Sequence, residues 1–420
     1  IWVENVSVGY PFTLDSDVKG GNQLLPRMCR ERGMMYDAPM MATVCAKVEG
    51  GQYFRFQNRL GNLPIMVCSN RCHLQKMSPG QLVACSEEAN ELGGYFIVNG
   101  IERVIRLLQV PRRNYATAIC RSAFKNRGPQ YSDKGVSMRC VRPDQSSQTV
   151  TVHYLTNGTA NLKFVIKKQE FLVPAIIVLK AMGSLSDKAV FENILRGDTQ
   201  NTFLSARVEL LLRDFKQWGL KTQADCLAFL GARFRPALPF TSRATDEEVG
   251  VALIERHILV HVTKFSDKQE TLLFMLRKLY TFIQGGCAED NADALSNQEL
   301  LLPGQLVCMY VKEKIWEMLE NVKSNILKDA RRDGIKVKAD LQNDSYLKKL
   351  VERHGSTIGS KVASFLSTGN IVSSTGLDLM QVSGYTIVAE KLNIFRFLSH
   401  FRSVHRGQFF TTMKTTAVRK

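Results

Sequence analysis

The dipeptide Asn99-Gly100 constrains the local fold of this chain more tightly than any other pair of residues. Two apolar runs, 95–98 and 101–105, flank it. An Asn-Gly turn supplies the positive φ angles of a type I′ turn, whose twist matches that of two antiparallel strands. Gly93-Gly94 frees the backbone just ahead of the first run. The spacing therefore predicts a β-hairpin over 93–106. Past it come Pro111, Arg112, Arg113 and Asn114, and the chain turns strongly basic.

That basic turn is one of two. From Arg103 to Ser132 the cations are Arg103, Arg106, Arg112, Arg113, Arg121, Lys125 and Arg127, without an Asp or Glu. From Lys391 to Lys420 they are Lys391, Arg396, Arg402, Arg406, Lys414, Arg419 and Lys420, again without an acid. The whole chain nets +17, so these windows carry most of the excess. Solvated surfaces mix both signs. Segregation of one sign points to a polyanion, most often nucleic acid. A basic surface meeting an acidic partner subunit fits the same pattern.

Elsewhere the chain alternates between strand and helix signals. A length of 420 suggests about two to four domains. Ser78-Pro79 starts a helix expected to run to Leu92. Residues 135–141 and 148–155 alternate as strands, and Asn157-Gly158 turns the chain back in a second hairpin. Helices follow at 173–182, 186–197, 202–218, 222–234, 245 onward and 267–283, with capping-box spacings at Thr222 and Thr245. Pro303-Gly304 opens the longest helix, to about 333, with one apolar stripe through Leu306, Tyr310, Ile315, Met318, Val322 and Ile326. Gly355-Ser356 and Gly359-Ser360 read as a loop. The sum is α+β: multidomain, with mixed helices and antiparallel sheets.

The patterns of familiar catalytic sites are missing. Neither Gly-x-x-x-x-Gly-Lys nor Gly-x-Ser-x-Gly occurs. Cys68 and Cys72 lie beside His73 without a second pair nearby, and the ten cysteines read as buried thiols of a reducing compartment. His257 and His261 are four apart without a third ligand and read as structural. Two-metal nucleotidyl transfer needs closely spaced carboxylates. Asp15-Ser16-Asp17 and the looser Glu289, Asp290 and Asp293 both read as exposed acidic loops. No apolar run is long enough to cross a membrane, and a soluble intracellular protein is expected. A start at Ile1 suggests a piece of something longer.

Two stretches offer binding chemistry. Taken as a helix, 390–406 places Leu392, Phe395, Leu398 and Phe401 on one side. Arg396, Ser399, Ser403 and Arg406 fall on another, with Arg402 and Lys391 nearby. One side is expected to pack on a scaffold while the other offers donors to phosphates, contacts that hold any sequence alike. Thr368-Gly369-Asn370, followed by Ser373-Ser374-Thr375-Gly376, reads as a small polar loop able to approach a nucleic-acid backbone, or as a plain turn between two helices.

The 93–106 block resembles the hairpin of the second-largest subunit of multisubunit RNA polymerases. The continuation through Pro111-Arg112-Arg113-Asn114-Tyr115 and 127–142 is most similar to the eukaryotic RNA polymerase I version. Thr368-Gly369-Asn370 and Leu398-Ser399-His400-Phe401-Arg402 resemble two further family signatures, the latter with Phe401 in place of Leu. The resemblance implies a protrusion at 1–117 and 304–357, a lobe inserted at 118–303 and the start of the fork at 358–420. It implies nucleic-acid contacts for Arg396, Arg402, His405, Arg406, Lys414, Thr368, Gly369 and Asn370, with template DNA and the RNA–DNA hybrid as ligands. It implies one wall of a DNA cleft in ribosomal RNA transcription, in the nucleus and nucleolus, with no catalytic or metal-binding residue in this stretch. Mg²⁺ would be held mainly by the largest subunit, and Zn²⁺ would bind beyond Lys420. Partners implied are that largest subunit, a small zinc-ribbon subunit and an initiation-factor-like heterodimer on the lobe. The equivalent subunit of polymerase II, III or an archaeal enzyme, and a stand-alone nucleic-acid-binding scaffold, are the alternatives.

Overall fold

Asn99 and Gly100 both take positive φ, 52° and 77°. The strands they join, Phe96–Val98 and Ile101–Ile105, pair antiparallel with Val98 opposite Ile101. The expected hairpin is present, and it is not isolated. Its free edge is taken by Thr386–Val388, with Thr386 opposite Ile105 and Val388 opposite Arg103. A two-stranded hairpin is marginal in water, and a third strand with a buried face secures it. Here the third strand comes from far along the chain. Tyr36, Tyr95, Ile97, Val104 and Phe397 fill the core on its inner face.

The computed structural model describes residues 1–13, 23–47, 53–198, 200–238, 244–331, 344–379 and 382–406. Lys414, Asp15-Ser16-Asp17 and most of the charged stretch after residue 331 lie outside them. The architecture is α+β, in two units. Among the described residues the first unit comprises 1–109, 300–373 and 382–406, and the second 110–299 and 374–379. None of the described helices is long and apolar enough to cross a membrane.

In the first unit, Trp2–Val8, Asp37–Lys47 and Tyr53–Pro64 form an antiparallel sheet. Helices Pro303–Arg331, Asp344–Gly355 and Thr357–Thr368 belong to the same unit. Met40, Val44 and Leu60 of the sheet share a core with Met318, Val322, Val351 and Ile358 of the helices. The glycines at 355 and 359 are therefore helical rather than in a loop. A Cβ on Gly359 would sit 2.0 Å from the Asn62 carbonyl oxygen, so glycine lets the helix touch the strand's backbone.

The second unit is a five-stranded antiparallel sheet followed by helices. Thr117–Cys120, Tyr131–Val141, Ser147–Leu155, Ala160–Ile166 and Gln169–Pro174 lie side by side in chain order. Ala175–Met182 is buried along its whole length, and Asp187–Leu195, Thr202–Gln217, Gln223–Phe234, Asp246–His257 and Phe265–Gln284 complete the core. The capping boxes at Thr222 and Thr245 are both formed. The turn at Asn157-Gly158 differs from expectation. Asn157 keeps a negative φ, and Leu155 bonds Thr159 across a three-residue loop. Asn157 Oδ1 accepts from the Thr159 N–H at 3.0 Å, an Asx turn.

Two helices are shorter than their sequence pattern. Pro79–Ala84 keeps its Ser78–Gln81 capping box but stops well before Leu92. Glu87 turns inward to accept from the Arg27 N–H at 2.7 Å and from the Arg30 guanidinium. The second short helix carries the candidate site.

Candidate nucleic-acid interface

Asn393 opens the helix Ile394–Phe401, its Oδ1 accepting from the Arg396 N–H at 2.8 Å. The eight-residue helix replaces the expected span of 390–406. It ends because the chain then becomes a strand: Val404–His405 pairs parallel with Leu107 and Leu108, and the Leu107 N–H donates to Ser403 O at 3.0 Å. The hairpin's continuation thus anchors both flanks of this segment.

The packing face is not the expected one. Phe397 and Phe401, one turn apart, stack edge-on at 5.0 Å, and Phe397 meets Tyr95 edge-on at 6.2 Å. Phe401 lies against Gly94. Of the expected face, Leu392, Phe395 and Leu398 are exposed instead. The apolar sector of 394–401 is broad, so spacing alone does not choose which edge of it packs inward; the contact with Tyr95 selects Phe397 and Phe401. Lys391 adds a latch that the sequence reading left among the basic residues. Its Nζ lies 3.3 Å from Glu102 and 3.8 Å from Glu88 and Glu91, and about 5 Å over the Tyr95 and Phe397 rings.

The cations of the segment fall into different situations. Arg396 donates to Glu390 through Nε at 2.6 Å in an exposed ion pair. Arg402 is exposed, and its guanidinium has no carboxylate partner among the described residues. Arg406 is half-buried. His405 packs edge-on to Tyr385 at 4.9 Å. Burial first, then neighbouring Arg106, pushes its imidazole below the usual histidine range, so it is held neutral.

Thr368-Gly369-Asn370 ends the helix Thr357–Thr368. Gly369 adopts φ 72° and its N–H caps Phe365 O. A Cβ there would also meet Thr386 Oγ1 at 2.9 Å. Thr368 Oγ1 donates to Ser364 O at 2.8 Å and accepts from the Asn370 N–H at 2.9 Å. Tyr385 donates its N–H to Gly369 O at 3.1 Å. This end, Tyr385 and His405 are therefore contiguous, with Thr368 and Asn370 facing outward.

In the first basic window Arg113, Lys125 and Arg127 meet carboxylates of the second unit. Arg113 Nε lies 2.8 Å and Arg139 Nη1 2.5 Å from Glu299. Arg127 pairs with Glu170 at 2.9 Å and Lys125 with Asp133 at 3.3 Å. The cluster expected as an exposed acidic loop has a structural task as well. Glu289 accepts from the Cys120 N–H and Asp290 from the Ala118 N–H, each at 2.8 Å, and Asp290 also pairs with Lys278 at 2.6 Å. The loop covers the open edge of the sheet at Thr117–Cys120, which would otherwise present unpaired backbone groups.

Of the remaining candidates Cys72 is buried, and His73, His257 and His261 are half-buried. His257 is pushed down to about 4 by burial and then by Arg142, and His261 is lowered by burial and then by Lys268. Cys72 is buried and takes the Tyr36 hydroxyl at 3.3 Å, while His73 Nε2 bonds Pro11 O at 2.7 Å. Among the described residues no three His, Cys, Asp or Glu side chains cluster as a metal site would require.

The sequence has close relatives. The family model described as RNA polymerase beta subunit matches residues 1–352, and the one described as RNA polymerase Rpb2, domain 3, matches 387–420. Over 419 residues the chain is 47% identical to the "Probable DNA-directed RNA polymerase I subunit RPA2" of Schizosaccharomyces pombe. It is 45% identical over 424 residues to the "DNA-directed RNA polymerase I subunit RPA135" of Saccharomyces cerevisiae. It is 40% identical over 395 residues to the "DNA-directed RNA polymerase I subunit RPA2" of Homo sapiens. These alignments cover 100%, 100% and 94% of this chain, and 36%, 35% and 34% of the relatives. The chain thus spans about a third of the length of the curated relatives it matches. Matched over most of its residues, it belongs to the RNA polymerase beta subunit family.

Proposed function

We propose that this chain forms part of the second-largest subunit of DNA-directed RNA polymerase I and one wall of its DNA cleft. Its similarity along its full length to subunits of that name carries the reading. In the assembled enzyme, within the nucleus and nucleolus, it would serve ribosomal RNA synthesis. The first unit corresponds to the protrusion and the start of the fork, and 110–299 to the lobe. The lobe would dock the small zinc-ribbon subunit and the initiation-factor-like heterodimer. Mg²⁺ would be held mainly by the largest subunit and Zn²⁺ by a later part of this one, so the stretch does not catalyse alone.

Within this reading Arg402 is the side chain best placed to hold template DNA or the RNA–DNA hybrid. It is exposed, next to a helix anchored by Lys391 and Phe397, and no carboxylate answers it among the described residues. A guanidinium on a rigid element suits phosphate contacts, which position a strand without reading it. The Thr368 and Asn370 side chains, Arg396, Arg406, His405 and Lys414 complete the proposed set. His405 acts by packing and Arg396 only after release from Glu390.

The test is Arg402→Ala in the purified polymerase. Template retention should weaken, and the slope of log affinity against log salt should become shallower by about 0.9 if one duplex phosphate contact is lost. An unchanged slope with a lowered melting temperature would assign Arg402 to structure.

A further inference from the structure

The helix Ile394–Phe401 has one broad apolar face, opposite Arg396, Ser399 and His400, and the unit covers only one edge of it. Phe397 and Phe401 pack on Tyr95 and Gly94. Beside them on the same face Ile394 is 54%, Phe395 81% and Leu398 40% exposed, and Leu392, just ahead of the helix, is 78% exposed. An apolar patch of neighbouring side chains marks an interface.

Three occupants come into question. Nucleic acid fits poorly: three of the four side chains are aliphatic, and aliphatic groups offer a base no aromatic face and a phosphate no donor. Arg396 beside them is already paired with Glu390. A second copy also fits poorly, because four side chains within residues 392–398 fall far short of the roughly 800 Å² per partner that a stable dimer buries. Further polypeptide fits well. The relatives are about three times as long as this chain, and the helix lies at the start of residues 387–420, which match a domain described separately from that of 1–352.

We propose that the bare face is an intramolecular seat. An apolar segment of the longer polypeptide, outside residues 1–420, packs over Leu392, Ile394, Phe395 and Leu398. The helix is then a shared element, with Phe397 and Phe401 held by the first unit and the rest of the same apolar face by the domain that follows. This rests on family membership and not on the nucleic-acid reading of Arg402, so either fails alone.

The experiment places p-benzoyl-phenylalanine at position 395 of the full polypeptide, in the purified polymerase, and maps crosslinks by mass spectrometry after irradiation. A crosslink within one polypeptide to a peptide outside 1–420 is expected. Crosslinking to nucleic acid, to another subunit, to a second copy or only within 1–420 overturns the proposal, as does no crosslink. In parallel, Phe395→Asp should lower the polymerase's melting temperature, while Phe395→Leu should hold it. An unchanged melt for Phe395→Asp would count against the seat.

Discussion

Glu299 shows how charge in this chain is settled residue by residue. Burial alone would raise its carboxyl, yet hydrogen bonds from Arg113 and Arg139 hold it below the usual carboxylate range. Arg139 is 5% exposed, so its charge depends on that partner. Removing one member of a buried pair leaves the other uncompensated, which costs about 3 kcal/mol. Glu299→Gln should therefore destabilise the second unit by about that much, read as a lower midpoint in urea. His153 makes the opposite case. It is buried among Phe124 and Tyr131, and both ring nitrogens lack a hydrogen-bond partner. Burial first, then Arg127 and Lys163, pushes it down to about 3. The unfolded chain binds that proton near the ordinary value of 6.5, so His153 favours folding fully above 6.5. That support is lost as pH falls from 6.5 toward 3, at about 1.4 kcal/mol per pH unit. His153→Phe should flatten the acid-side fall of stability, measured as urea midpoints between pH 6.5 and 5; an identical slope would refute it. Neither site was legible beforehand, because Glu299 and Arg139 lie far apart in sequence and a lone histidine carries no sign of its burial.

Elements were legible where their chemistry is local. The Asn99-Gly100 hairpin, the helix start at Ser78-Pro79 and the capping boxes at Thr222 and Thr245 need only residues close in sequence, and all are formed. What misled was any feature decided at a distance. The helix after Ser78 stops where Glu87 is drawn to Arg30, and the helix at 394–401 turns Phe397 inward because Tyr95 is there. In the acid-free window at 103–132, Glu299 and Glu170 reach Arg113 and Arg127 from other strands, pairings that the local sequence does not display. Among the candidate ligands, the basic character and exposure of Arg402 could be read from sequence, whereas the burial of His405 against Tyr385 could not. Phe397→Ala tests the anchoring of that helix. Loss of a buried phenylalanine costs about 3–5 kcal/mol. Because Phe397 lies at the rim of its core, residues 391–402 should become protease-sensitive. The sheet Trp2–Val8, Asp37–Lys47 and Tyr53–Pro64 should stay protected.

The whole chain is threaded unevenly, and that has a consequence for fragments. The second unit is almost one stretch: its sheet runs in chain order through 117–174 and its helices follow at once, so its contacts are local and its core is complete within 110–299. Among the described residues only 374–379 comes from elsewhere, bringing Asp378, whose carboxylate accepts from Thr149 Oγ1 at 2.8 Å. The first unit is assembled from three stretches. Its opening hairpin needs Thr386–Val388 as a third strand, Tyr95 needs Phe397, and the sheet of residues 2–64 needs helices from 303–368 to cover Met40, Val44 and Leu60. A stretch that buries its own core can fold alone, whereas one that leaves two cores half-lined exposes their apolar faces. Residues 110–299 produced alone should therefore give one cooperative thermal transition and dispersed amide resonances, weakened by roughly 1–3 kcal/mol by the missing Asp378 segment, which leaves the Thr149 hydroxyl without its partner. Residues 1–109 alone should aggregate or stay unfolded, and co-expression with 300–406 should rescue them. A folded, soluble 1–109 fragment would show instead that the hairpin and its neighbouring sheet need no partner from the far end of the chain.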